Sequence, residues 1–220
     1  MAKIQLVIFD FDGTLVDTAA DLVRSTNLFL ESQGLEALSE ARIRAAIGMG
    51  LRSLILSVYP QAQQADEEFR RKVEADFIAL YAKELLTSPQ LFPGAQDFLN
   101  EWEGHTAIVS NKRERFIHPI LEKLGVGGYP WSAIIGGDTF KHMKPHPEPL
   151  LAALASANCT PDEVVIVGDG HPDVEGANAL GSRCVAVEYG YTSFTELMGL
   201  GAWKSIARLD ELLPLIRKIT

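Results

Sequence analysis

Asp10 and Asp12 lie two residues apart at the end of the apolar run Ile4 to Phe9, opening the segment Asp10-Phe11-Asp12-Gly13-Thr14-Leu15-Val16-Asp17. On an extended chain, residues i and i+2 point to one side, so both acids can address a single reacting atom from different directions. Two such carboxylates repel unless a cation neutralises them, and an oxygen-rich site with few protein ligands suits Mg²⁺. A lone Asp-Gly pair would be read as an ordinary turn. A second acidic strand end argues for more, because Val164 to Val167 runs into Gly168-Asp169-Gly170-His171-Pro172-Asp173.

The elements that must position these acids are legible as short β-branched runs. Ile4 to Phe9, Thr106 to Val109, Ala133 to Ile135, Val164 to Val167 and Cys184 to Val187 are separated by stretches with helical spacing. Continuous apolar runs belong to strands buried on both faces, and their alternation with helices predicts an α/β fold with a doubly wound, Rossmann-like parallel sheet. In such sheets ligands bind outside the carboxyl ends of the strands, where both acidic segments fall.

The alternation breaks between the first strand and the second, where the pattern predicts only helices. Thr18 to Gln33 stops at Gly34, Ser39 caps a helix to about Ile47, Gly48-Met49-Gly50 interrupts, and a further short helix stops at Pro60. A long helix from near Asp66 places Phe69, Val73, Phe77, Leu80 and Tyr81 on one face. The expected organisation is a core of residues 1–15 and 92–220 with an inserted α-helical cap of residues 16–91, hinged at both ends and able to close over the strand-end pocket.

Composition narrows the partners. Twenty Lys and Arg against 29 Asp and Glu give a net charge of −9, which repels polyanions, and Arg70, Arg71 and Lys72 sit beside Glu67, Glu68 and Glu74 as a solvated helix face. Nucleic acid is therefore not an expected partner. The apolar run at the start is too short for a membrane span and has no signal-peptide pattern. Two cysteines, Cys159 and Cys184, without metal-ligand spacing, make a reducing cytoplasm the expected location.

Four segments, in order, resemble the motifs of the haloacid dehalogenase superfamily. Asp10 to Asp17 resembles the first, with Asp10 as nucleophile. Ser110-Asn111-Lys112 resembles the second, whose hydroxyl binds a phosphate oxygen; Lys144-Pro145-His146-Pro147 resembles the third, whose Lys neutralises the phosphoryl group and the nucleophile; and Gly168 to Asp173 resembles the fourth, which adds metal carboxylates. Gly170-His171-Pro172 departs from the small polar residue that many relatives carry after Asp169. Thr14, Phe92-Pro93-Gly94, the Lys144 segment and the helical insertion are similar to the branch that includes phosphoglycolate phosphatases.

The resemblance implies a phosphatase acting on a small phosphorylated metabolite. Asp10, Asp12 and Lys144 would be catalytic, with Asp12 as general acid and base. Ser110, Asn111, Lys144, Thr14 and, from the cap loop Gly48 to Arg52, Arg52 would bind the substrate phosphate. Asp10, Asp12 through its carbonyl, Asp169 and Asp173 would hold Mg²⁺. A sugar phosphomutase shares these features but returns the phosphoryl group to sugar, and a non-catalytic phosphate-binding module would keep the fold without turnover. Either a monomer or a homodimer is compatible with the sequence.

Overall fold

The computed structural model of the chain describes residues 3–63 and 65–218. Its strands are β1 (Leu6–Phe9), β2 (Val16–Asp17), β3 (Gln90–Leu91), β4 (His105–Val109), β5 (Ala133–Ile135), β6 (Val164–Gly168), β7 (Arg183–Val187) and β8 (Lys204–Ile206). Six form one sheet in the order β5-β4-β1-β6-β7-β8, every pairing parallel. β1 is flanked by β4 and β6, so the first apolar run becomes a central strand. Both its faces are covered, which explains why it shows no polar alternation. Val7 and Phe9 face one hydrophobic cluster, whereas Leu6 and Ile8 face the other.

The helices before β3 are α1 (Ala19–Ser32), α2 (Glu40–Arg44), α3 (Gly50–Val58), α4 (Pro60–Gln63) and α5 (Glu67–Glu84); those after it are α6 (Ala95–Glu101), α7 (Glu114–Lys123), α8 (Glu148–Ala157), α9 (His171–Leu180), α10 (Phe194–Gly199) and α11 (Leu212–Arg217). Apolar residues of α6, α7 and α11 join the cluster beneath Phe9, where Phe98 meets the Phe9 ring edge-on at 5.3 Å. Leu150 and Leu154 of α8, Val174 and Ala177 of α9 and Leu197 of α10 cover the opposite face. Helices on both faces of a parallel sheet make this the expected doubly wound architecture, with α1 to α5 as its inserted cap.

The cap leaves and rejoins the core through adjacent strands. Val16 pairs with Leu91 and Asp17 with Gln90, in a two-stranded antiparallel ribbon. Beside it the buried Asp21 carboxylate accepts bonds from the Ser88 backbone N–H and hydroxyl and from Arg24, and Arg24 also pairs with Glu84 at 2.8 Å. The beginning of α1 and the end of α5 are thereby tied together.

Several local expectations need correction. The helix capped by Ser39 ends at Arg44, three residues short of Ile47. Pro60 opens α4 instead of merely ending α3, because proline lacks an N–H that the first helical turn leaves unpaired anyway. Asp66 does cap α5, accepting from the Phe69 N–H, but Phe69 itself is exposed and Leu80 half-buried; the inward face is Val73, Phe77, Ile78 and Tyr81. The edge strand β8 and the ribbon strands β2 and β3 were not expected.

Candidate active site

Asp10 extends the β1 ladder by one bond, donating its N–H to Val167 O at 2.9 Å, and then the chain leaves the sheet. The turn that follows is folded on itself: Leu15 and Val16 donate to Phe11 O, and Gly13 donates to Val16 O. Gly13 has φ +86°, and a Cβ there would lie 2.2 Å from Asp169 Oδ2, so the position requires glycine twice over. Asp169 directly follows β6, and Asp173 lies in the first turn of α9, where its carboxylate accepts from the Gly170 N–H at 3.0 Å. Gly170 thus serves as the backbone donor that holds Asp173, while His171 turns outward to Glu196 at 2.9 Å.

Asp10, Asp169 and Asp173 are all buried, each with a carboxylate oxygen within 4.8 Å of the others. Burial, together with the Asp10 and Asp173 charges, pushes the Asp169 carboxyl well above the ordinary carboxylate range; burial and Asp10 push Asp173 up to about 6. Asp169 is aimed by the Thr14 hydroxyl at 2.9 Å and the Tyr191 N–H at 2.8 Å. This set of hard oxygen donors around a repulsive pocket fits a small divalent cation. A second group of potential ligands combines His142 and His146 of the loop around Lys144 with Glu148 at the start of α8. There Glu148 accepts from the His142 N–H and pairs with its Nδ1 at 3.0 Å.

Lys144 joins the acidic set from the loop after β5. Its Nζ lies 2.6 Å from Asp173 and 3.1 Å from Asp10, with the side chain 2% exposed. Burial opposes the charge, but the two carboxylates outweigh it and hold the ammonium above the ordinary lysine range. Ser110 follows β4, donates its N–H to Ile135 O, and presents a hydroxyl that accepts from the Lys112 N–H at 3.3 Å. Asn111 donates from its side-chain amide to Lys144 O and to Gly48 O of the cap, both at 3.0 Å, and its buried Oδ1 has no partner among the described residues.

The structure therefore brings Asp10, Asp12, Ser110, Asn111, Lys144, Asp169 and Asp173 to one edge of the sheet. Asp10, Asp12, Ser110, Asn111 and Lys112 border a narrow cleft, roofed by Leu22, Ile47, Gly48, Gly50, Leu51 and Leu54 of the cap. Thr14 stands behind Asp169, fully buried, with its hydroxyl committed to that carboxylate. Arg52 stands apart from the cleft, paired with Glu74 at 2.7 Å and Glu67 at 2.8 Å.

Residues without an assigned role in the sequence complete the site. Lys112, fully buried, donates to Asp12 at 2.9 Å and to the Tyr81 hydroxyl at 2.6 Å. Thr18 Oγ1 donates to the same carboxylate at 2.5 Å. From the loop after β7, the Tyr189 hydroxyl donates to Thr14 O, and the Tyr191 hydroxyl donates to Asp17 and accepts from the Thr18 N–H. Lys112 was visible beside Ser110 and Asn111; the tyrosines carried no signal beyond their places on a helix face and past a strand.

Strand-end carboxylates with a buried lysine, beneath an inserted helical cap, define a class of phosphoryl-handling α/β hydrolases, and comparison with known proteins agrees. The family model for haloacid dehalogenase-like hydrolases matches residues 7–187. Phosphoglycolate phosphatase 1 of Pseudomonas aeruginosa is 35% identical over 217 residues, covering 96% of this chain and 79% of its own. N-acetylmuramic acid 6-phosphate phosphatase of Pseudomonas putida is 33% identical over 192 residues, covering 86% of this chain and 85% of its own. The crystal structure of a predicted phosphoglycolate phosphatase from Haemophilus somnus superimposes with a TM-score of 0.87 at 26% identity, covering 98% of this chain and 99% of that one. The chain belongs to the haloacid dehalogenase-like hydrolases, as a phosphatase of the branch that includes phosphoglycolate phosphatases.

Proposed function

We propose that this phosphatase hydrolyses a small phosphomonoester in a Mg²⁺-dependent reaction through an aspartyl-phosphate on Asp10. The observation that carries the reading is the approach of Lys144 Nζ to Asp10 and Asp173, two of the three carboxylates that, with Asp169, bring oxygens within 4.8 Å of one another. A nucleophile, a fixed positive charge and a cation site at one strand end suit phosphoryl transfer, where positioning and charge stabilisation supply most of the rate.

In the first step an Asp10 carboxylate oxygen attacks phosphorus, the bond from phosphorus to the leaving oxygen breaks, and Asp12 donates a proton to that oxygen. In the second, Asp12 takes a proton from water as the water attacks phosphorus, the bond to Asp10 breaks, and inorganic phosphate departs. Lys144 and the Ser110 hydroxyl would bind the phosphoryl oxygens, and Asn111 would brace the Lys144 loop through its bond to Lys144 O. Mg²⁺, held by Asp10, Asp169 and the Asp12 carbonyl with Asp173 in support, would offset repulsion between the anionic nucleophile and the phosphate.

The substrate class follows from the cleft and the relatives together. A narrow cleft roofed by the apolar cap side chains Leu22, Ile47, Leu51 and Leu54 favours a small leaving group over a polymer. Both named relatives act, by their names, on phosphorylated acids, and the reading extends to an organic acid phosphate such as phosphoglycolate or a sugar phosphate. The deciding experiment measures phosphate release from a panel of such esters with Mg²⁺ and looks by intact-protein mass spectrometry for a phosphoryl adduct mapped to Asp10. An adduct on another residue, or release unaffected by Asp10→Asn, would remove the nucleophile from this scheme. Isomerisation of a sugar phosphate without net phosphate release would make the protein a mutase.

A further inference from the structure

Lys112 is buried where a lysine needs a reason to be. Its side chain is 0% exposed, and its Nζ donates to Asp12 Oδ1 at 2.9 Å, to Asp12 Oδ2 at 3.3 Å and to the Tyr81 hydroxyl at 2.6 Å. The ammonium also lies 4.9 Å from the centre of the Tyr81 ring and 5.8 Å from that of Phe11. Burying such a group is costly unless it is paired and hydrogen-bonded, and here both conditions are met. A counter-ion in the framework would meet them equally well. The partner instead is the carboxylate assigned to proton transfer.

The three groups come from three parts of the chain that need not move together. Asp12 belongs to the turn after β1 and Lys112 to the loop after β4, both in the core, whereas Tyr81 belongs to α5 of the cap. Tyr81 is fully buried, stacks on Phe77 of its own helix at 6.5 Å, and meets Phe116 of α7 edge-on at 5.3 Å. Its hydroxyl therefore reaches Lys112 only while α5 is seated on the core. Thr18, at the first hinge, adds its hydroxyl to the same Asp12 carboxylate at 2.5 Å. Thr18 thus contacts Asp12 directly, and the cap reaches it through Lys112.

We propose that Lys112 is a positioning residue: Tyr81, arriving with the cap, fixes the Lys112 ammonium, and Lys112 in turn fixes the Asp12 carboxylate, so that the proton-transfer group is set when the lid is down. The proposal rests on the reading of Asp12 as acid and base. Lys112 borders the cleft, but every hydrogen bond of its ammonium goes to Asp12 or Tyr81, and the proposal assigns it no bond to substrate.

A double-mutant cycle tests this, with phenyl phosphate and p-nitrophenyl phosphate as a poorer and a better leaving group. Lys112→Met should lower kcat on phenyl phosphate by about tenfold, less on p-nitrophenyl phosphate, with KM changed by less than about twofold. In an Asp12→Asn background the same substitution should cost less than about twofold, because the group it positions is already disabled. Tyr81→Phe keeps the ring packing and should give the same background dependence at about threefold.

Equal fractional losses in both backgrounds, or a loss confined to KM, would overturn the proposal while leaving Asp12 in its role. If Asp12→Asn itself retained wild-type kcat on both esters, the acid and base reading would fail and the proposal with it. Should Lys112→Met not yield folded protein, the Tyr81→Phe cycle decides alone: no loss, or a loss independent of Asp12, overturns the link to the cap.

Discussion

The sheet edge and the cap meet at one cleft but are built from opposite materials. At the sheet edge, strand ends fix buried charge: Asp10, Asp169, Asp173 and Lys144 are all nearly inaccessible and bonded to one another or to nearby backbone. The cap presents Leu22, Ile47, Leu51 and Leu54 to the same space and keeps Arg52 outside in ion pairs. The contrast separates two tasks. The sheet carries reactive groups whose geometry tolerates little error, while the cap supplies shape, exclusion of water and a few polar struts, chiefly Tyr81 and Thr18.

If this division holds, damage to the sheet edge should cost the most. Asp10→Asn should lower turnover by about four orders of magnitude or more, since the neutral amide cannot form the acyl phosphate, while thermal melting stays near wild type. Chelation with EDTA should reduce phosphate release to background and added Mg²⁺ should restore it; release that survives chelation would break the assignment of the acidic cluster. Asp12→Asn should cost about a hundredfold or more on an alkyl phosphate and less on p-nitrophenyl phosphate, and wild-type rates on both would place Asp12 outside proton transfer.

Changes on the cap side should be smaller and of another kind. Asp21→Asn weakens the charged bonds to Ser88 and Arg24 and should destabilise the protein by about 2 kcal/mol in denaturant unfolding, with little change in kcat. Arg52→Met should alter KM by less than about threefold, because an exposed ion pair contributes little. A rise in KM beyond about tenfold would bring Arg52 back to the substrate and blur the comparison.

Much of the sheet edge was legible because strands buried on both faces announce themselves: Leu6 and Ile8 serve one cluster, Val7 and Phe9 the other, and no polar residue interrupts. The acids at the ends of β1 and β6 were readable for the same reason. β8 escaped notice because an edge strand of Lys204, Ser205 and Ile206 has a single buried side chain. β2 and β3, at two residues each, are too short for any periodicity. Lys112 could be seen as a neighbour of Ser110, yet its partner Tyr81 is distant in sequence and sits on an apolar helix face that reads as ordinary packing. Tyr189 and Tyr191 lie past β7, where nothing in the residue pattern distinguishes a bracing hydroxyl from a surface one.

The ribbon of Val16, Asp17, Gln90 and Leu91 has a topological consequence. Because the chain departs and returns at neighbouring residues, everything between is a detour whose ends are already closed, and closure entropy grows only slowly with the length of such an excursion. A different helical module with the same end spacing could be spliced there without shifting the register of any parallel strand. Substrate preference would then be exchangeable as a cassette, independently of the machinery that breaks the ester.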